Sequence, residues 1–235
     1  MLIERLVKIV GVCFFIFYII YRIILRIHEY QAHPQLFTPF AHINWLLIMT
    51  TFVLYMVGYI LRKPPVVSSK NWKENVFPIF CASLSYFIYE SPRWASFSWL
   101  RDTAFQKFFI TFIPFNLARP SALSMILLIS GNVILALGLY QLRSCFSVFV
   151  QARGVVRTGI YRYIRHPLYV GQTLTTIGSC LWIPSWCNIA LTLIFIPLQR
   201  LRAHLEEKKL SATFPEYAHY KKSTGAYFPK ILNKA

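Results

Sequence analysis

Two stretches of this chain, Ile43 to Leu61 and Ser121 to Leu142, run 19 and 22 residues without a charged side chain, and a third, Pro167 to Gln199, runs 33. A helix crossing a hydrocarbon core of about 30 Å needs about 20 apolar residues. Within that core each backbone N–H and C=O must find its partner inside the protein, so such runs are read as membrane helices, and a soluble globular domain is excluded. Leu6 to Leu25 is read as a further crossing, with Lys8 and Arg22 near its ends, where long basic side chains reach the headgroups. Being charged internally and followed by no small-residue cleavage pattern, it is expected to be a retained first helix rather than a removed leader. Val76 to Tyr89 is short for a crossing, so it either continues past Glu90 or tilts and thins the bilayer. The expected fold is all-α: a polytopic membrane helix bundle of about five to six membrane segments, including a C-terminal helical hairpin.

The hairpin follows from length. Thirty-three helical residues would reach about 50 Å at 1.5 Å per residue, too long for one crossing and short for two full ones. The stretch WIPSW, Trp182 to Trp186, supplies the turn, with Pro184 breaking the helix and two tryptophans suited to an interface. Both ends of the hairpin then return to one side of the membrane.

The net charge is +17, and thirteen of the 25 lysines and arginines lie from Arg143 onward. In so apolar a chain this points to anionic headgroups or an anionic ligand, not to nucleic acid. The positive-inside tendency puts these clusters in the cytoplasm. Counting back through crossings at 121–142, 76–90, 43–61 and 6–25 places the N-terminus and Arg62, Lys63, Lys70 and Lys73 there too. Arg93, Arg101, Lys107 and Arg119 then fall outside, and Phe108 to Ala118 is interfacial or a buried half-helix. The five cysteines have no paired spacing, so neither a metal site nor a disulfide framework is expected. His28, His33 and His42 likewise share no ligand spacing.

Immediately before the hairpin stands GIYRYIRHPLYVG, Gly159 to Gly171. Pro167 suits the first position of a helix. Arg165 and His166 then lie beside that helix N-terminus and read as an anion site. Tyr169 offers a stacking surface, and Gly171 a place where a ligand or a neighbouring helix approaches the backbone. By composition alone the string reads more readily as an interfacial anchor. The segment after the hairpin, QRLRAHLEEKKL, changes the balance. Arg202 and Glu206, four apart, share one helix face, while Glu207 is turned about 100° away. A cavity with an anion-binding end and a carboxylate suits a zwitterion such as an amino acid moiety.

Together these two strings resemble the RHPxYxG and RxxxEE signature of isoprenylcysteine carboxyl methyltransferases and the related membrane phospholipid N-methyltransferases, from about Gln151 to Pro229. The resemblance implies an integral membrane methyltransferase using S-adenosyl-L-methionine, with no Rossmann domain; no GxGxxG is present. It implies cofactor contacts from Gln151, Arg153, Gly154, Val155, Val156, Tyr161, His166, Pro167, Leu168, Tyr169 and Glu206, with Arg202 meeting the substrate, so that Arg202 and Glu206 are the catalytic candidates. In place of the family's FGxxYxxY this chain has FPEYAHY, and Arg153 stands where the carboxyl methyltransferases tend to carry histidine. Residues 1–120 are then N-terminal transmembrane helices, and 121–235 form the methyltransferase core. The implied acceptor is amphiphilic: first the carboxylate of a prenylated cysteine or an analogue, second a phosphatidylethanolamine-type amine. The expected partners are this lipid-like substrate and membrane lipids, with the active site facing the cytoplasm. A nicotinamide-dependent sterol-reductase-like protein and a non-enzymatic membrane protein are the rival readings; the proline after His166 and the paired glutamates speak against the reductase.

Overall fold

The computed structural model describes residues 2–32, 34, 38–94, 121–182 and 185–230. Among them the protein is all-helical, with seven helices: α1 (Leu2–Ala32), α2 (Pro39–Leu61), α3 (Trp72–Trp94), α4 (Ala122–Leu142), α5 (Pro167–Trp182), α6 (Trp186–Thr213) and α7 (Glu216–Ser223), plus a 3-10 turn at Gly159–Arg162. Three are long and apolar enough to cross a membrane: Glu4–Ala32, Pro39–Leu61 and Ala122–Leu142. Several start at legible signals. Thr38 caps α2 through a hydrogen bond from Ala41 N, with Pro39 opening the helix, and Ser121 and Ser185 cap α4 and α6 in the same way.

The short run at Val76 to Tyr89 is resolved in favour of extension, since α3 continues past Glu90 to Trp94. Helix α1 likewise overruns its expected ends, reaching Ala32. The hairpin stands where length demanded it: α5 stops at Trp182 and α6 begins at Trp186. Trp182 stacks on Phe40 at the start of α2, with ring centroids 5.5 Å apart. Pro184 lies outside the described residues, as do the segment Phe108 to Ala118 and Arg101, Lys107 and Arg119. After the turn α6 passes through Pro197 and runs without interruption for 28 residues, about 42 Å, so its apolar first half and its charged second half form one rod.

In lipid no hydrophobic drive separates helix from solvent, so helices associate through close backbone approach and hydrogen bonds. Helices α4 and α5 do this through glycine. A Cβ at Gly171 would stand 2.7 Å from the carbonyl oxygen of Gly131, and one at Gly131 would stand 2.8 Å from that of Gly171. Between α2 and α4 the tie is polar: buried Asn132 Nδ2 donates to Asn44 Oδ1 at 3.1 Å and to Leu128 O at 3.0 Å. Asn132→Leu is expected to weaken the α2–α4 contact by about 1 kcal/mol, read as a lower midpoint of thermal unfolding in detergent; an unchanged midpoint would remove the pair from the stability account.

The connections gather at one end of the bundle. Lys63 N donates to Ser144 O at 2.8 Å and Val66 N to Ala152 O at 2.8 Å, which ties the chain after α2 to the chain after α4. Lys209 on α6 donates to Glu74 Oε2 at 2.6 Å and to Ser68 O and Val150 O. Arg62, Lys63, Lys70 and Lys73 therefore stand at the same end as the basic string before α5. At this end Gly159 adopts φ 57°, a left-handed turn that favours glycine, and the Gln141 side chain fills the space a Cβ would need while accepting from Ile160 N at 2.8 Å.

Candidate functional site

Pro167 opens α5, with Arg165 and His166 just before it, and what they hold is a side chain of this protein. Glu207 Oε1 lies 2.8 Å from both Nε and Nη2 of Arg165 and 2.9 Å from His166 Nε2, while Lys221 Nζ meets its other oxygen at 2.9 Å. This corrects the reading of Arg165 and His166 as an open anion site: Glu207, turned away from Arg202 as helical geometry requires, faces them instead. Burial acts to raise the Glu207 carboxyl, but hydrogen bonds from His166, Lys221 and Arg165 outweigh it and hold the group well below the usual carboxylate range. Arg165 Nη1 also donates to the carbonyls of Lys221 and Thr224, and the backbone N–H groups of Arg165 and His166 donate to Gly225 and Ala226. Arg165 thus pins the C-terminal segment over the start of α5.

Beside this lock the other glutamate faces a second group. Tyr169 donates its hydroxyl to Glu206 Oε1, and the Arg202 guanidinium lies over the Tyr169 ring at 5.2 Å with Nε 3.5 Å from Glu206. Arg202 is fixed by donating from Nη2 to Val148 O at 2.9 Å. His166 stacks on Tyr169 with ring centroids 5.4 Å apart. Arg202 is nearly enclosed, whereas the Glu206 side chain keeps 25% of its surface accessible. That leaves a carboxylate opening into space, backed by a cation and two rings.

The space is a cavity of about 760 Å³, within the range of small-molecule sites. Glu206, Arg202, Tyr169, His166, Leu168, Tyr161 and the backbone stretch Gly154 to Val156 line one end. Towards α1 to α4 its walls become apolar, with Val10, Phe14, Ile48, Phe52, Ile79, Leu128 and Leu135. Three expected site residues stand behind these walls and do not line the cavity. Gln151 accepts from Arg153 Nη2 at 2.6 Å and from Ser147 Oγ at 3.0 Å. Arg153 reaches Glu4 of α1 at 2.9 Å, where Glu4 also meets Arg62, and it donates to Lys63 O. Pro167 is fully buried.

Among the lining residues that the sequence reading did not single out, four carry polar groups beside the cluster. Tyr217 and Tyr220 come from FPEYAHY, and Tyr220 donates to Tyr161 O at 2.6 Å; their signal was the spacing of two tyrosines in a polar helix. Gln172 sits on α5 and Tyr55 on α2, and the Gln172 side-chain amide donates to the Tyr55 hydroxyl at 3.4 Å. Nothing local distinguishes Tyr55 from the other aromatic residues of its helix.

Residues 120–216 match the phospholipid methyltransferase family. The match holds α4, the loop before α5, the hairpin and the glutamate pair, and leaves α1 to α3 outside. The cobalt-zinc-cadmium resistance protein CzcN of Cupriavidus metallidurans is 35% identical over 78 residues, which is 33% of this chain and 36% of that protein. The alignment therefore spans about a third of the length of this curated relative.

Proposed function

We propose that this helical membrane protein, whose residues 120–216 match the phospholipid methyltransferase family, is an S-adenosyl-L-methionine-dependent methyltransferase acting on an amphiphilic acceptor. The observation that carries the reading is the single cavity joining apolar walls among α1 to α4 to the Arg202, Glu206 and Tyr169 cluster. One end suits a polar, charged cofactor and the other a lipid tail.

The donor set fits the cofactor. The accessible Glu206 carboxylate and the faces of Tyr169 and Tyr161 suit cationic groups, an ammonium or a sulfonium, and Arg202 suits an oxyanion. The cofactor when bound supplies an electrophilic methyl group on sulfur. For such a displacement the protein's task is alignment and exclusion of water. Tyr169 holds Glu206 by hydrogen bond, Arg202 is fixed by Val148 O, and the Glu207 lock keeps the start of α5 against α6. With a carboxylate acceptor no proton moves, and Arg202 orients the anion. With a lipid amine, a proton has to leave the nitrogen, and Glu206 is the carboxylate placed to take it. The carboxylate of a prenylated cysteine or an analogue is the first acceptor reading; a phosphatidylethanolamine-type amine is the second, favoured by the description of the matched family. The acceptor reaches the site sideways from the bilayer, and the basic end of the bundle faces the cytoplasm.

Calorimetry of S-adenosylhomocysteine with the detergent-purified protein tests this. Micromolar binding is expected, weakened at least about tenfold in Glu206→Gln, or roughly 1.4 kcal/mol. Folded wild-type protein that takes up NADPH instead would move it to the reductase class, and binding of neither would make it a non-enzymatic relative.

A further inference from the structure

Where the apolar part of the cavity meets its charged end, a hydrogen-bond chain enters from outside the matched segment. Buried Gln199 on α6 donates from Nε2 to Gln172 Oε1, which fixes the Gln172 carboxamide with its NH2 group toward α2. That group donates to the Tyr55 hydroxyl at 3.4 Å. A tyrosine hydroxyl has one proton and two acceptor lone pairs. Since Gln172 uses an acceptor site, the Tyr55 proton is available, and no acceptor for it occurs among the described residues. The Tyr55 ring is held by Phe15, stacked at 5.4 Å, and by Phe146 at 5.3 Å. Tyr55, Gln172 and Arg202 all line the cavity.

We propose that Tyr55 is a specificity-determining residue: its O–H, oriented by Gln172 and Gln199, donates to an oxyanion of the methyl acceptor that Arg202 faces from the other side. This rests on the methyltransferase reading and deepens it, because the site then selects acceptors bearing a carboxylate-type oxygen over neutral amides and over ammonium groups. An ammonium has no lone pair for the Tyr55 proton and would lie beside the Arg202 cation. The selecting group comes from α2, outside the matched segment, so proteins sharing only that segment need not share the preference.

The test compares Tyr55→Phe and Gln172→Glu with the wild type. Phenylalanine keeps the ring packing and removes only the hydroxyl. A glutamate at 172 keeps the donor from Gln199 but accepts the Tyr55 proton, drawing it out of the cavity. Affinities are measured for S-adenosylhomocysteine, and then in its presence for N-acetyl-S-farnesylcysteine, its primary amide and phosphatidylethanolamine. The wild type is expected to bind the free carboxylate at least about tenfold more tightly than the amide. Both variants should shrink that ratio to about threefold or less, with S-adenosylhomocysteine affinity unchanged. Equal wild-type affinity for carboxylate and amide, preference for the phospholipid amine, or variants that keep the wild-type ratio would each overturn the role of Tyr55 while leaving the methyltransferase reading intact. So would a parallel loss of S-adenosylhomocysteine affinity in Tyr55→Phe, which marks a packing role. A wild type that binds no S-adenosylhomocysteine defeats both.

Discussion

Glu207→Ala is expected to release the C-terminal segment from the bundle and to cost about 3–5 kcal/mol, the range for removing one partner of a buried ion pair. The Arg165 side chain is only 8% accessible and His166 only 7%, so deleting the carboxylate strands a guanidinium where water cannot replace what it lost. The first signs should be a lowered midpoint of thermal unfolding and rapid proteolysis within residues 214–230, since Lys221 and Thr224 are tied in through the same arginine. Glu207→Gln keeps acceptor and shape without the charge and should lose less. The pH dependence has a definite sign. A carboxyl held below its ordinary value stabilises the fold fully above the unfolded glutamate pKa of about 4.3 and loses that contribution as pH falls through the depressed folded value. The stability gap between wild type and Glu207→Gln should therefore persist down to about pH 5 and narrow in stronger acid. A gap that kept widening below about pH 4 would contradict the ion-pair account.

Gly171→Ala should be nearly as disruptive, for a steric reason. The new methyl group meets Gly131 O at 2.7 Å and Leu135 N at 3.0 Å, both backbone atoms that move only if α4 moves. Alanine is the better helix former by about 1 kcal/mol, yet separating two packed helices outweighs this, and a net loss of about 2 kcal/mol is expected. The functional cost should exceed the stability cost. Tyr169 and Gln172 lie within two residues of Gly171 and carry the side chains that meet Glu206 and Tyr55. A shift of about 1 Å at a site that works by alignment costs on the order of a hundredfold in rate. Gly138→Ala is the control: its closest neighbour at 2.9 Å is the flexible tip of Leu168, which can turn aside. Equal effects at 138 and 171 would refute the backbone-contact explanation.

The bundle was readable because its cause is local. An uncharged run of about 20 residues satisfies its backbone in lipid by forming a helix, and 33 such residues ending in charge at both ends must fold back. The pairing of Arg202 with Glu206 was readable for the same reason, since a spacing of four on a helix fixes their shared face wherever the helix goes. The two signature strings place His166, Tyr169 and Glu206 on the lining of one cavity.

Other features depend on how one helix is rotated and set against another. The partner of Arg165 and His166 lies about 40 residues on, and whether Glu206 or Glu207 reaches them is set by the roll of α6 against α5, which the close glycine contact of α5 on α4 helps to fix. Arg153 turned to Glu4, at the far end of the sequence, and left the cavity wall. Tyr55 carried no mark in the sequence, because an aromatic residue in a membrane helix faces lipid, core or cavity according to its neighbours. Helices, hairpin and the charged pair are consequences of periodicity and of the bilayer's demand on the backbone. Which of two adjacent glutamates became the lock and which the open carboxylate, and which aromatic residue of α2 met Gln172, was settled by packing between segments that share no local pattern.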